Sequence, residues 1–156
     1  MRTVRVLIVD DQAPFRAAAA AVIDLTEPFV LAGAVESGEE SLACLQDLAP
    51  DLVLMDINLP GMDGIEAAAQ IAARPQPPIV VLVSTYSGQE YADQIEHSGA
   101  RAYLEKSEFG PERLLEVWAT VSAGSTASTV NSPSVGQTST DGPPAGRPDG
   151  GSIGAT

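Results

Sequence analysis

The sequence predicts an α/β domain: a doubly wound, five-stranded parallel sheet with helices on both faces. Three observations carry that prediction. Short apolar runs alternate with helical patterns five times between residues 4 and 121. The first strand-like run, Val4 to Val9, is nearly continuous in Val, Leu and Ile, as expected of a strand covered on both faces. Caps and turn residues stand between them, and right-handed crossovers then place helices on both sides of the sheet.

The elements follow in order. Val4 to Val9 is the first strand. Pro14 to Leu25 is the first helix, with Phe15, Ala19, Val22 and Ile23 on one stripe. Its alanine run, Ala17 to Ala21, favours helix and close packing. Phe29 to Val35 is the second strand. Ser37 caps the next helix, Glu40 completes a capping box, and the helix ends near Leu48 before Pro50. Leu52 to Met55 is the third strand. Asn58, Pro60, Gly61 and Gly64 make the following loop. Ile65 to Ala73 is the third helix and Ile79 to Val83 the fourth strand. Ser87 to Ser98 is the fourth helix, stopped by Gly99. Ala102 to Glu105 is the fifth strand. Pro111 to Val121 is the last helix, with Leu114, Val117, Trp118 and Val121 as its stripe.

The character changes near residue 123. Residues 123–156 are dominated by Gly, Pro, Ser and Thr, and Val130, Val135 and Ile153 are their only large apolar residues. Such a stretch buries too little to offset its ordering entropy. The expected division is a folded domain over residues 1–122 and a disordered tail over 123–156. The tail reads as a linker rather than a helix-turn-helix, because it has no helical periodicity.

Composition excludes several classes. The formal charge is −13, from 8 basic and 21 acidic residues, so bulk electrostatics do not favour a nucleic-acid backbone. No apolar run approaches the roughly 20 residues of a membrane span. The first apolar stretch is short and ends in Asp10 and Asp11, unlike a signal peptide. Cys44 is the only cysteine, so no internal disulfide forms; it lies beside Leu42, Leu45 and Leu48 as a small buried hydrophobe. Together these point to the cytoplasm. His97 has no second histidine with which to build a zinc site and reads as a surface or capping residue.

In doubly wound sheets ligands sit outside the carboxyl ends of the strands. The first strand ends in Asp10 and Asp11, the third in Asp56, the fourth in Ser84 and Thr85, and the fifth near Lys106. Three carboxylates, two hydroxyls and an ammonium therefore converge on one edge. Carboxylates so gathered repel one another unless a positive charge is present. Hard cations take oxygen ligands, and Mg²⁺ suits one or two carboxylates with water. A carboxylate beside such a cation can attack phosphorus and form an acyl phosphate. Hydroxyl and ammonium groups would then meet the phosphoryl oxygens. Taken singly, Asp10 and Asp11 could be helix caps and Asp56 a turn former. It is their joint placement, with the only lysine of the chain, that points to chemistry.

The segments VRVLIVDDQAPFRAA, PDLVLMDINLPGMDGIEA, IVVLVSTYS and GARAYLEKS occur in order over about residues 4 to 107. They resemble the receiver domain of bacterial two-component response regulators, CheY-like in fold, and DDQAPFR and LMDINLPGMDGIEA most resemble its NarL-type branch. The resemblance implies a flavodoxin-like sheet of strand order 2-1-3-4-5. It implies Asp56 as phospho-acceptor, and Asp10, Asp11, Asp56 and the Asn58 backbone carbonyl as Mg²⁺ ligands. Ser84 matches the switch hydroxyl, with Thr85 beside it. Lys106 matches the lysine that pairs with a phosphoryl oxygen, and Tyr103 the aromatic that moves inward on activation. Asn58 and Tyr86 occupy positions expected to set phosphoryl lifetime. The implied partners are a sensor histidine kinase or phosphotransfer protein, a downstream protein target, and a second copy in a phosphorylation-dependent homodimer. No direct nucleic-acid or membrane partner is implied. The protein would catalyse only its own phosphorylation and dephosphorylation.

Two departures stand out. Ser107 follows Lys106 where many receivers have proline, so the next loop is expected to differ. NarL-type regulators carry a DNA-binding domain after the receiver, where this sequence has its Gly/Pro-rich stretch. An effector that was lost or truncated would account for that. The alternative function is a receiver fold that binds partners without phosphorylation, but no acid or lysine is missing to favour it. An aspartyl-phosphate phosphatase would want a second Asp two residues after the nucleophile, and Asn58 stands there. No glycine-rich phosphate loop is present.

Overall fold

A computed structural model describes residues 2–85 and 92–123. The elements are β1 (Val4–Val9), α1 (Ala13–Asp24), β2 (Phe29–Val35), α2 (Gly38–Leu48), β3 (Leu52–Asp56), α3 (Gly64–Ala72), β4 (Ile79–Ser84), α4 (Ala92–His97), β5 (Ala102–Glu105) and α5 (Pro111–Ser122). All strand pairs are parallel and the order is β2-β1-β3-β4-β5, as the resemblance implied. Tyr86 and the predicted start of the fourth helix lie outside the described residues. So does 124–156, almost all of the predicted tail.

The alternation within the apolar strands builds the two layers. Val6 and Ile8 of β1, Leu52 and Leu54 of β3, and Val81 and Val83 of β4 face one side. There they meet Ala19 and Ile23 of α1 and Leu114, Val117 and Val121 of α5. Leu7, Val9, Val53, Met55, Val80 and Leu82 face the other side, against Leu45 of α2, Ala67, Ala68 and Ile71 of α3, and Ile95 of α4. Each fully buried aliphatic side chain contributes roughly 1.5–3 kcal/mol. The predicted stripe of α1 meets this layer as a whole: Ala19 and Ile23 are fully buried, and Phe15 and Val22 pack at its margin. Trp118 packs edge-on against Phe29, ring centroids 6.3 Å apart. Cys44 is half-buried, and burial pushes its thiol pKa up.

The helix ends show how local chemistry fixes the boundaries. Ser37 Oγ accepts from Glu40 N–H at 3.1 Å, as predicted, but the Glu40 carboxylate reaches Glu36 N–H at 3.0 Å rather than that of Ser37. α2 ends on Ala49, whose φ is 45°. Pro50 disfavours the right-handed helical region for the residue before it, and Ala49 takes the left-handed region instead. α3 is capped by Asp63, whose Oδ1 accepts from Glu66 N–H at 2.8 Å.

Arginines serve the framework. Arg5 donates to Leu48 O at 2.7 and 3.1 Å and Arg101 to Val121 O at 3.3 Å, satisfying carbonyls at the ends of α2 and α5. Arg74 donates to Leu42 O at 3.2 Å. Gly64 is a close approach: its N–H meets Ile57 O at 2.8 Å, and a Cβ there would run into the Asp56 carbonyl, with Asp56 C at 2.7 Å and Ile57 Cα at 2.8 Å.

Two stability outcomes follow. Gly64→Ala must push the start of α3 off the end of β3 and is expected to cost about 3 kcal/mol in urea unfolding. Ala49→Gly relieves a left-handed residue and is expected to gain about 1 kcal/mol in the same measurement. A neutral Gly64→Ala or a destabilising Ala49→Gly would contradict these readings.

Candidate functional site

The carboxyl ends of β1 and β3 lie side by side in the sheet, and the residues that follow the strands form the site. Asp10 follows β1, its N–H donating to Val35 O at 3.1 Å, and Asp56 ends β3. Asp10 and Asp56 are buried, at 1% and 4% exposure, and Asp11 is exposed. One carboxylate oxygen of each lies within 4.8 Å of the others. Lys106, just past β5, sets its ammonium 2.7 Å from Asp10 Oδ2 and 3.6 Å from Asp56 Oδ2. Asp10, Asp11, Asp56 and Lys106 are thus brought together as the sequence predicts.

The acids are not used up as helix caps. α1 begins after Gln12 with no side-chain cap. Asp10 Oδ1 accepts from Gln12 N–H at 2.8 Å, and Asp56 Oδ1 accepts from Asn58 N–H at 3.3 Å, a local turn about each acid. Asp10 Oδ2 is buried and accepts no directed hydrogen bond; its counter-charge is the Lys106 ammonium. The donor set is all oxygen, with one lysine for three acids, and it suits a hard divalent cation.

Burial, and after it the nearby Asp10 charge, raises the Asp56 pKa from 3.8 to about 6 against the pull of Lys106 and the Asn58 N–H. Desolvation penalises the charged form, and a like charge adds to the penalty.

Ser84 ends β4 fully buried, and Thr85 beyond it is exposed. Tyr103 lies on β5, paired with Leu82 and 8% exposed, so its side chain already faces inward. Asn58 is exposed in the β3–α3 loop. Tyr86 lies outside the described residues. His97 is exposed, its Nδ1 2.8 Å from Asp93 O.

Several residues of the site were not singled out in the sequence. Arg16 donates from Nη1 to Asp10 O at 2.7 Å and pairs with Glu36 at 3.7 Å, tying α1 to the ends of β1 and β2. Gln12 Oε1 accepts from Lys106 at 3.3 Å, and the Phe15 ring lies under the same ammonium, 4.7 Å from its centroid. Glu39 accepts from Met62 N–H at 3.1 Å and steadies the loop after Asp56. Arg16, Gln12 and Glu39 are of types common on surfaces, and the contact of Phe15 with a cation is one that its place on an apolar stripe does not mark.

The model of the response regulator receiver domain matches residues 6–119. The transcriptional regulatory protein PdtaR of Mycobacterium tuberculosis (strain ATCC 25618 / H37Rv) is 37% identical over 102 residues, 65% of this chain and 49% of PdtaR. The transcriptional regulatory protein LiaR of Bacillus subtilis (strain 168) is 31% identical over 104 residues, 67% of this chain and 49% of LiaR. The chain spans about half the length of these curated relatives. Among solved structures, the signal receiver domain of NarL from Mycobacterium tuberculosis superimposes with a TM-score of 0.72 at 26% identity, over 80% of this chain and 99% of that one. With its sheet order, its acidic edge and a family match from β1 into α5, the chain belongs to the response regulator receiver domain family.

Proposed function

We propose that the chain is a phosphoryl-accepting response regulator of two-component signal transduction, with Asp56 as the acceptor. The observation that carries this reading is the packing of Asp10, Asp11 and Asp56 within 4.8 Å of one another against Lys106. Asp10, Asp11, Asp56 and the Asn58 carbonyl would hold Mg²⁺. When bound, that ion offsets the negative charge that gathers between a carboxylate and an incoming phosphoryl group. An Asp56 carboxylate oxygen forms a bond to phosphorus. The donor's own bond to phosphorus breaks, and its electron pair leaves with the donor. Lys106 then pairs with a phosphoryl oxygen. Water attack on phosphorus later returns the carboxylate and inorganic phosphate, at a rate to which Asn58 and Tyr86 contribute.

The output is a change of shape. Phosphorylation adds about −1.5 to −2 charges and new acceptor oxygens. The Ser84 hydroxyl, with Thr85 beside it, turns toward them, and Tyr103 holds the inward position. The surface of α4, β5 and α5 carries the change to a downstream protein or a second copy. The phosphoryl group comes from a sensor histidine kinase or phosphotransfer protein in the cytoplasm. No described helix is long and apolar enough to cross a membrane.

The local motifs support a place in the NarL-type branch, with the receiver over residues 1–122 and a linker-like stretch over 123–156. The curated relatives named above are transcriptional regulators. The chain's charge of −13 argues against a direct grip on nucleic acid.

Incubation with acetyl phosphate is expected to give one phosphate adduct by intact mass, requiring both Mg²⁺ and Asp56 and absent from Asp56→Asn. A folded protein that forms no adduct, or an adduct retained in Asp56→Asn, would sink the assignment.

Acid–base linkage gives a second outcome. The folded protein binds the Asp56 proton more tightly than the unfolded chain, with pKa values of about 6 and 3.8. Metal-free stability from this group is therefore highest below pH about 4 and is lost as pH rises to about 6. Asp56→Asn carries no such penalty. It should be more stable than wild type at pH 7.5 by on the order of 2 kcal/mol, and the gap should close toward pH 4. Urea unfolding in chelator across that range measures it, and a gap independent of pH would contradict the assignment of the shift.

A further inference from the structure

Lys106 carries its ammonium on a flexible four-carbon stem. Ser107 follows it, so no proline ring stiffens that peptide. The chain after β5 winds instead into a 3-10 turn, Lys106–Glu108, closed by Phe109 N–H donating to Lys106 O at 3.2 Å. Phe109 then sets its ring edge-on against Phe15 of α1, centroids 5.7 Å apart and planes at 62°. The Phe15 ring in turn lies under the Lys106 ammonium, 4.7 Å from centroid to nitrogen. An ammonium on a ring, and that ring on a second ring, clasp α1 to the connection between β5 and α5.

A leucine at position 15 would fill similar volume, but only an aromatic face attracts a cation. The ring also offers no carboxylate to compete with the acids. It holds a side chain only 12% exposed with its ammonium 2.7 Å from Asp10 and 3.6 Å from Asp56. We propose that Phe15, backed by Phe109, is a positioning residue that holds the Lys106 ammonium ready for phosphoryl transfer to Asp56. This rests on the receiver chemistry proposed above. Ordering the ammonium beforehand removes that entropic cost from the reaction itself.

Lys106 is the only lysine in the sequence, so ¹³C-labelled lysine gives the full chain a single Cε signal. The test compares wild type, Phe15→Leu, Phe15→Tyr, Lys106→Met and the double variant Phe15→Leu/Lys106→Met. Thermal unfolding checks that each is folded. Phe15→Leu is expected to slow labelling by acetyl phosphate and Mg²⁺ by about 3- to 10-fold. Phe15→Tyr should restore the rate, and Phe15→Leu should have no further effect in the Lys106→Met background. The Lys106 signal should lose its ring-current displacement in Phe15→Leu and keep it in Phe15→Tyr. An unchanged rate with an unmoved signal overturns the proposal, and so does equal slowing with and without Lys106. If Phe15→Leu does not fold, Phe109→Leu removes the backing ring and is judged by the same readouts. A wild-type chain that takes no phosphoryl group sinks the receiver chemistry, and the proposal with it. An adduct that forms in wild type and as fast in Phe15→Leu overturns the proposal alone.

Discussion

The arrangement turns on electrostatic frustration at one edge of a sheet. Two buried carboxylates and a third at the surface lie within 4.8 Å of one another, and one lysine answers them. In a poorly solvated site such a group is short of positive charge. The rest of the fold keeps it so. The strands deliver Asp10 and Asp56 to adjacent ends, the two apolar layers hold those ends still, and Gly64 lets α3 begin directly against the Asp56 carbonyl. An edge so short of positive charge offers an all-oxygen donor set that suits a hard divalent cation.

Much of this was legible in the sequence because it is written in short-range patterns. The runs from Val4 to Val9, Phe29 to Val35 and Ala102 to Glu105 appear as strands with the predicted bounds, and the first, nearly continuous in β-branched and aliphatic residues, is covered on both sides. The third and fourth strands each extend one residue further, to Asp56 and Ser84, because pairing continues until the chain turns out of the sheet. The third helix starts one residue early, at Gly64, because Asp63 caps it, a role the loop reading had not given to Asp63. The acids and the lysine were found because strand ends in a doubly wound sheet meet in space.

What sequence reasoning missed is what depends on contact across the chain. Nothing about Arg16 indicates that its guanidinium supports the Asp10 carbonyl. Phe15 reads as a core residue by its spacing, yet it lies at the core margin with a cation on its face. The chain after Lys106, where Ser107 stands, takes a 3-10 turn that returns the Phe109 ring to α1, a path that no local pattern in the sequence marks.

The arginines that close the helix ends have a consequence beyond the framework. Every described Arg and Lys has an acceptor within its own chain, several of them backbone carbonyls. The scarce positive charge is thus spent inward, while acids such as Asp24, Glu66 and Glu112 lie in exposed positions. A long-range field of one sign follows, and it makes salt a kinetic variable. Encounters with an acidic protein should quicken as ionic strength rises and the mutual repulsion is screened, whereas a basic docking face should be captured fastest in dilute buffer.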